Sequence, residues 1–172
     1  QVNSVAAAFT ITNNGGADFS TANSILTLTG TAPVDVETIA LNGLPCNVTF
    51  DGVTTWSMPV GLKPGANAIA LAGFDHYGTP VANATDSITV TYTGSTPPSP
   101  AGYVVINEIM YNSAQPKANF IEIHNTSSTT TFDLAGMMLN GADFTFNAGV
   151  CIAPTSFIVV AENISQYQGT YS

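Results

Sequence analysis

YVVINEIMYNSAQPKANFIEIHNTSSTTTFDLAGMMLNGADFTFNAGVCIAPTSFIVVA, residues 103–161, is the stretch that decides the fold of this chain. Its apolar runs are short and rich in Val, Ile, Phe and Tyr, with Asn, Gly and Pro between them. Short runs bounded by turn residues read as strands rather than helices. Two carboxylates stand inside those runs. Strict alternation in VVINEIM puts Glu108 on the face of Val104, Ile106 and Met110, and in FIEIHN it puts Glu122 with Phe120 and His124.

Upstream of this stretch, residues 95–101 (STPPSPA) carry Pro97, Pro98 and Pro100. Proline lacks the N–H a sheet ladder needs, so this segment reads as an extended, semi-rigid linker. Before it, SITVTYT (residues 87–93) alternates and sets Ile88, Val90 and Tyr92 on one face, the pattern of a half-buried strand. Further strands are predicted at residues 7–12, 24–29, 36–41, 46–50, 55–59 and 67–74. NNGG at 13–16, Asn42-Gly43, Asp51-Gly52, KPG at 63–65 and Tyr77-Gly78 supply the turns. Roughly seven short strands so spaced is the pattern of an immunoglobulin-like sandwich. A short helix is predicted only at residues 162–168.

VINEIMYN (105–112), FIEIHNTSS (120–128) and FDLAGMMLNGADFTF (132–146), followed by a proline turn and FIVVA, resemble the lamin-tail domain in its bacterial secreted form. That resemblance implies a second immunoglobulin-like sandwich used for attachment or structure, and one lacking strands that such domains carry after FIVVA. The first half is similar to bacterial immunoglobulin-like repeat modules through Leu62, Pro64, Gly65, Asn67, Ile69 and Leu71, followed by Asp75 and Gly78. In that comparison Trp56 is the large core aromatic. The expected organisation is all-β: a sandwich at 1–94, the linker at 95–101, and a partial lamin-tail-like sandwich at 102–172.

Charge narrows the function. Lys63 and Lys117 are the only Lys or Arg residues in 172, and the net charge is -9. Nucleic-acid binders replace phosphate counterions with Lys and Arg, so that class is excluded, and anionic membranes are disfavoured by the same argument. No apolar run approaches the ~20 residues of a spanning helix. The opening QVNSVAAAFTI lacks a basic leader region and reads into a strand, so the chain reads as a mature or excised piece of a secreted or cell-surface protein.

The chemistry-bearing residues are few. Glu108, Glu122 and His124 form a candidate carboxylate–imidazole cluster for a cation. Asp18, Asp51, Asp75 and Asp143 sit in turns, where Asp suits either Ca²⁺ or a local hydrogen bond. The structural role outweighs the metal role for each, with Asp75 the turn acid carried forward as a metal candidate. No cofactor is expected. His76 and His124 lack second ligands at zinc spacing, and no G-x-S-x-G or phosphate loop occurs. Cys46 and Cys151 permit one candidate disulfide. Asn47, Asn83, Asn125 and Asn163 begin sequons. Tyr103, Tyr111, Tyr167 and Tyr171 could stack on sugars, although packing is the commoner fate of a strand aromatic.

The expected function is a non-enzymatic structural or adhesion module, a stalk or accessory region of a larger exported protein. Its partners would be other domains of that polypeptide, or other copies of itself. One alternative is a self-assembling subunit completed by strand exchange. Another is a carbohydrate-binding accessory module with a glycan as partner.

Overall fold

The computed structural model describes residues 7–171. Contacts divide the chain into two compact units. One joins the residues up to Pro97 with Asp133–Cys151; the other joins Pro98–Phe132 with the residues from Ile152 onward. The expected boundary at 102 therefore does not separate the units, because Asp133–Cys151 packs with the first. The opening QVNSVA and Ser172, on which the reading of the two ends rests, lie outside the described residues.

In the first unit the chain runs β1 (Thr10–Ile11), β2 (Phe19–Thr21), β3 (Ile25–Thr31), β4 (Thr38–Leu41), β5 (Leu44–Pro45), β6 (Thr49–Phe50), β7 (Thr55–Gly61), β8 (Gly65–Phe74) and β9 (Pro80–Tyr92). One sheet has the order β1-β3-β7-β6, the other β2-β9-β8-β4-β5. This is the two-sheet arrangement of an immunoglobulin-like sandwich, with the first strand divided between the sheets. The core follows the alternation. Leu28 from β3, Trp56 and Met58 from β7, Ile69 and Leu71 from β8, and Ile88, Val90 and Tyr92 from β9 are buried together.

Turn chemistry closes the hairpins. Asn42 and Gly43 both have positive φ (50° and 82°), so Leu41 faces Leu44 across a two-residue turn. Asn-Gly is favoured there because both central residues must enter the left-handed region. The Asn42 side chain also donates from Nδ2 to the Ala68 carbonyl and accepts the Ala70 N–H at 2.9 Å. Asn67 secures the KPG turn: its Oδ1 accepts the Lys63 N–H, and its Nδ2 donates to the carbonyls of Lys63 and Gly65.

Two expectations need correction here. The strand expected at 46–50 shortens to β6 (Thr49–Phe50), with an isolated bridge from Cys46 to Ala148, while β5, just before it, lies in the other sheet. Crossing from sheet to sheet breaks the run. In addition, β2 forms at 19–21, where no strand was expected. Its three residues carry too short a pattern to show alternation, and only their pairing with β9 makes them a strand.

The second unit is built on β10 (Val104–Met110), β11 (Phe120–Asn125) and β16 (Phe157–Ala161), all antiparallel with β11 central. Along the chain between β11 and β16 come β12 (Phe132–Asp133), β13 (Met138–Leu139), β14 (Phe144–Thr145) and β15 (Cys151–Ile152), and the β13–β14 pair belongs to the first unit. Helix α1 (Ile164–Tyr171) follows β16, a short shift from the predicted 162–168. Asn163 caps it, accepting the Gln166 N–H on its side-chain oxygen. Tyr167 and Tyr171 hold the helix to β11, each meeting the Phe120 ring edge-on at 5.2 and 5.3 Å. β10 is an edge strand, and Val105, Ile106 and Ile109 on it are exposed.

Candidate functional site

The carboxylates of the second unit lie close together, though not as simple alternation predicts. A bulge between Ile106 and Glu108 shifts the register of β10. Ile106 therefore pairs with Ile123, while Glu108 pairs with Glu122. Glu108 thus leaves the face of Ile106 and joins that of Glu122. The extra residue, Asn107, donates from Nδ2 to Glu122 Oε1 at 2.7 Å and offsets part of the repulsion of two facing acids.

His124 is turned to packing. Its ring stacks on Phe157, its cross-strand partner, at 4.1 Å and nearly parallel. Asp75 belongs to the first unit, where its Oδ1 accepts the backbone N–H groups of Tyr77 and Thr79. Among the described residues no group of three His, Cys, Asp or Glu side chains is placed to hold a metal ion.

Other acids are used in the same way. Asp18 Oδ1 accepts the Thr89 N–H at 2.7 Å, and Asp86 Oδ2 accepts the Ile11 N–H at 2.7 Å. Asp133 caps its own turn through the Ala135 N–H, and Glu162 accepts the Asn119 amide. His76 Nδ1 lies 3.4 Å from Glu37 Oε2, with both side chains mostly exposed. Exposed pairs of this kind contribute little.

Cys46 and Cys151 are free thiols, each half-buried in the first unit. Burial pushes the Cys46 thiol up to about 11. Burial, with Asp133 nearby, pushes Cys151 up to about 12. Thiolates are the nucleophiles, so both should be slow to react. At pH 8, iodoacetamide should alkylate the folded chain about a hundredfold or more slowly than the urea-unfolded chain. The gap should narrow only as pH rises towards 11. Intact mass against time checks this.

At the Asn125 sequon the side chain is built into the interior. Asn125 is 0% exposed, and its amide is fully engaged. Nδ2 donates to the carbonyls of Thr130, Ile152 and Ala153, and Oδ1 accepts the Ser127 N–H. A glycan on Nδ2 would displace these bonds. Asn47, Asn83 and Asn163 are exposed, and Asn47 Oδ1 accepts from Asn147. In folded material secreted from a glycosylating host, peptide mapping should find Asn125 bare and any occupancy at Asn47, Asn83 or Asn163.

Of the four tyrosines considered for sugar stacking, three are used in packing. Tyr103 stacks on Phe132, while Tyr167 and Tyr171 pack on Phe120; Tyr111 is 84% exposed. The first unit also has a cavity of about 480 Å³. Glu37, Thr38, Asn47 and Thr49 line it beside the apolar Ile39 and Pro59. Sequence reasoning missed this cavity, because its walls come from segments that only folding brings together. It also missed Asn125 as a structural hub, seeing only the start of a sequon.

The lamin tail domain family model matches residues 97–171. This part of the chain is a lamin tail domain. The strands β10, β11 and β16 all fall within it, as do Glu108, Glu122 and Asn125. No curated protein matches the chain. Among solved structures, the chain is similar to the surface glycan-binding protein SGBP-B of the Bacteroides ovatus mixed-linkage glucan utilization locus, solved with a mixed-linkage heptasaccharide. Identity is 12% and the TM-score 0.29, over 90% of this chain and 45% of that one. The chain therefore spans less than half the length of that protein.

Proposed function

We propose that this chain is a non-enzymatic extracellular module, a structural or adhesive stalk or accessory region of a larger exported protein. In this reading the proline-rich segment at 95–101 joins a sandwich module to the lamin tail domain, and neighbouring domains of the same polypeptide are its partners. One observation carries the proposal: several of the acids that could do chemistry accept hydrogen bonds from backbone N–H groups and side-chain amides. Asp18, Asp75 and Asp86 tie strands and turns, and Glu122 and Glu162 accept from Asn107 and Asn119. Side chains engaged in this way tie strands and turns together, as a scaffold requires. The low content of charged residues fits an exported β protein.

An antibody raised against the purified chain tests location. Protease treatment of intact cells should remove the antigen. Recovery of the antigen only from the cytosol would sink the reading.

A glycan-binding role is second, favoured by the polar cavity of the first unit. Carboxylate, amide and hydroxyl groups beside an apolar floor are the groups that bind neutral sugars. Retardation of the chain in a gel containing β-glucan, lost on Asn47→Ala, would support it. Unchanged mobility across a panel of neutral polysaccharides would remove it.

A further inference from the structure

Both sheets of the first unit end on the same flank. β5 is the last strand of one and β6 the last of the other, and only Cys46–Val48 separates them along the chain. Each is two residues long and pairs with a strand on one side only. An edge of this kind presents unpaired backbone groups, which folded proteins cover or blunt. Here a distant segment covers part of it. The Asn47 N–H donates to the Ala148 carbonyl at 2.8 Å, and the Ala148 N–H donates to the Pro45 carbonyl at 3.2 Å. The two bonds flank Cys46 and form a parallel bridge. Asn147 stands 100 positions after Asn47, and it lies within the residues that match the lamin tail domain.

We propose that the open edge at Pro45–Asn47 is a docking surface whose partner is Asn147–Gly149 of the same chain. The sandwich is then completed by a segment of the lamin tail domain, and neither sequence region makes a finished body without the other.

The segment is fitted to this edge residue by residue. Asn147 adds a side-chain bond, from its Nδ2 to Asn47 Oδ1 at 3.3 Å. Gly149 has a φ of 81°, and a Cβ on it would stand 2.7 Å from the Asn47 carbonyl oxygen. Glycine alone meets both demands without strain. Phe146 and Ala148, on either side of Asn147, are buried, so docking removes apolar surface from water as well. The loop that carries the segment is braced, since the Leu134 N–H donates to the Val150 carbonyl and the Gly136 N–H to the Phe146 carbonyl, both at 2.9 Å. It meets the sandwich again at Gly61 of β7, where a Cβ would overlap the Asp133 side chain. Cys46, Asn47 and Gly149 also line the cavity of the first unit, so the same contact builds one of its walls.

Cys46 sits at the bridge and reports on it. With Cys151→Ser in the background it is the only thiol, and intact mass reads its alkylation by iodoacetamide. Gly149→Ala and Gly141→Ala make a matched pair in the full chain. Both put alanine at positive φ (81° and 93°), but a Cβ at Gly141 meets nothing within 4 Å. Gly149→Ala should raise the alkylation rate about tenfold or more as the segment lifts away, while Gly141→Ala should change it less than about twofold. Trp56 fluorescence shows that each variant starts folded. If Gly149→Ala fails to fold, Asn147→Ala carries the test by deleting the side-chain bond, with a rise of about threefold.

Equal rates in the parent and every folded variant would overturn the docking. Protection of Cys46 that grows with protein concentration would also overturn it, because the segment would then arrive from a second copy. Neither result bears on where the module is exported, which protease treatment of intact cells decides.

Discussion

Replacing Trp56 with alanine is expected to destabilise the first unit by about 3–5 kcal/mol, the usual cost of emptying a large aromatic site. Trp56 is one of the largest fully buried side chains in the chain, only 1% exposed. Its ring lies over Gly30, its cross-strand partner, and stacks against Phe9 with 6.4 Å between centroids. Its Nε1 donates to the Thr31 carbonyl at 3.1 Å, so the substitution both opens a cavity and strands a polar group. Trp56→Phe keeps most of the volume but not the bond, and should cost roughly 1–3 kcal/mol.

The same contact makes Gly30 sensitive from the other side. A Cβ there would overlap the Trp56 ring and the Thr10 carbonyl oxygen. Since Thr10 belongs to β1, Gly30→Ala should push β1 outward as well as displace the indole. Urea unfolding followed by the fluorescence of Trp56, the only tryptophan, reads Gly30→Ala. For Trp56→Ala and Trp56→Phe, far-ultraviolet circular dichroism replaces it.

Asn125→Ala is the second large effect, and it falls on the lamin tail domain. The side chain makes bonds to Thr130, Ile152 and Ala153 through Nδ2 and to Ser127 through Oδ1. These partners also fix the amide orientation, since three carbonyls need a donor and one N–H needs an acceptor. Leaving such groups buried and unpaired costs about 1–3 kcal/mol each, so a loss of roughly 3 kcal/mol or more is expected. Asn125→Asp is the sharper variant. It keeps the shape and the bond from Ser127 but points a carboxylate at three carbonyls. It should therefore be at least as damaging as alanine. Hydrogen exchange at β11 measures both, and an Asp variant as well protected as the parent would show that the donors contribute little.

Much of the fold was legible. In β7 and β9 the alternation that places Trp56, Met58, Ile88, Val90 and Tyr92 on buried faces is a local property, and the structure follows it. The Asn42-Gly43 turn was readable for the same reason, since the left-handed conformation depends on the two residues that adopt it. The site was less legible. The Asn107 bulge rearranged the face of Glu108, and no periodic rule announces a bulge. Asn125 looked like any Asn before Thr-Ser, because its carbonyl partners at 152 and 153 are distant in sequence.

By itself the sequence determined the class of structure. Short alternating runs and turn residues demanded sheets, and two Lys or Arg residues against a net charge of -9 set the expectation against polyanionic partners. The fragments VINEIMYN and FIEIHNTSS pointed to the lamin tail domain that matches at 97–171. Only the tertiary structure decided which strands are neighbours. It set β2 parallel against β9, divided β5 from β6 between sheets, grouped Asp133–Cys151 with the first unit, and buried Asn125 among distant carbonyls. The physical reason is common to all four. Alternation and turn propensity depend on adjacent residues, whereas pairing and burial depend on groups brought together from far along the chain.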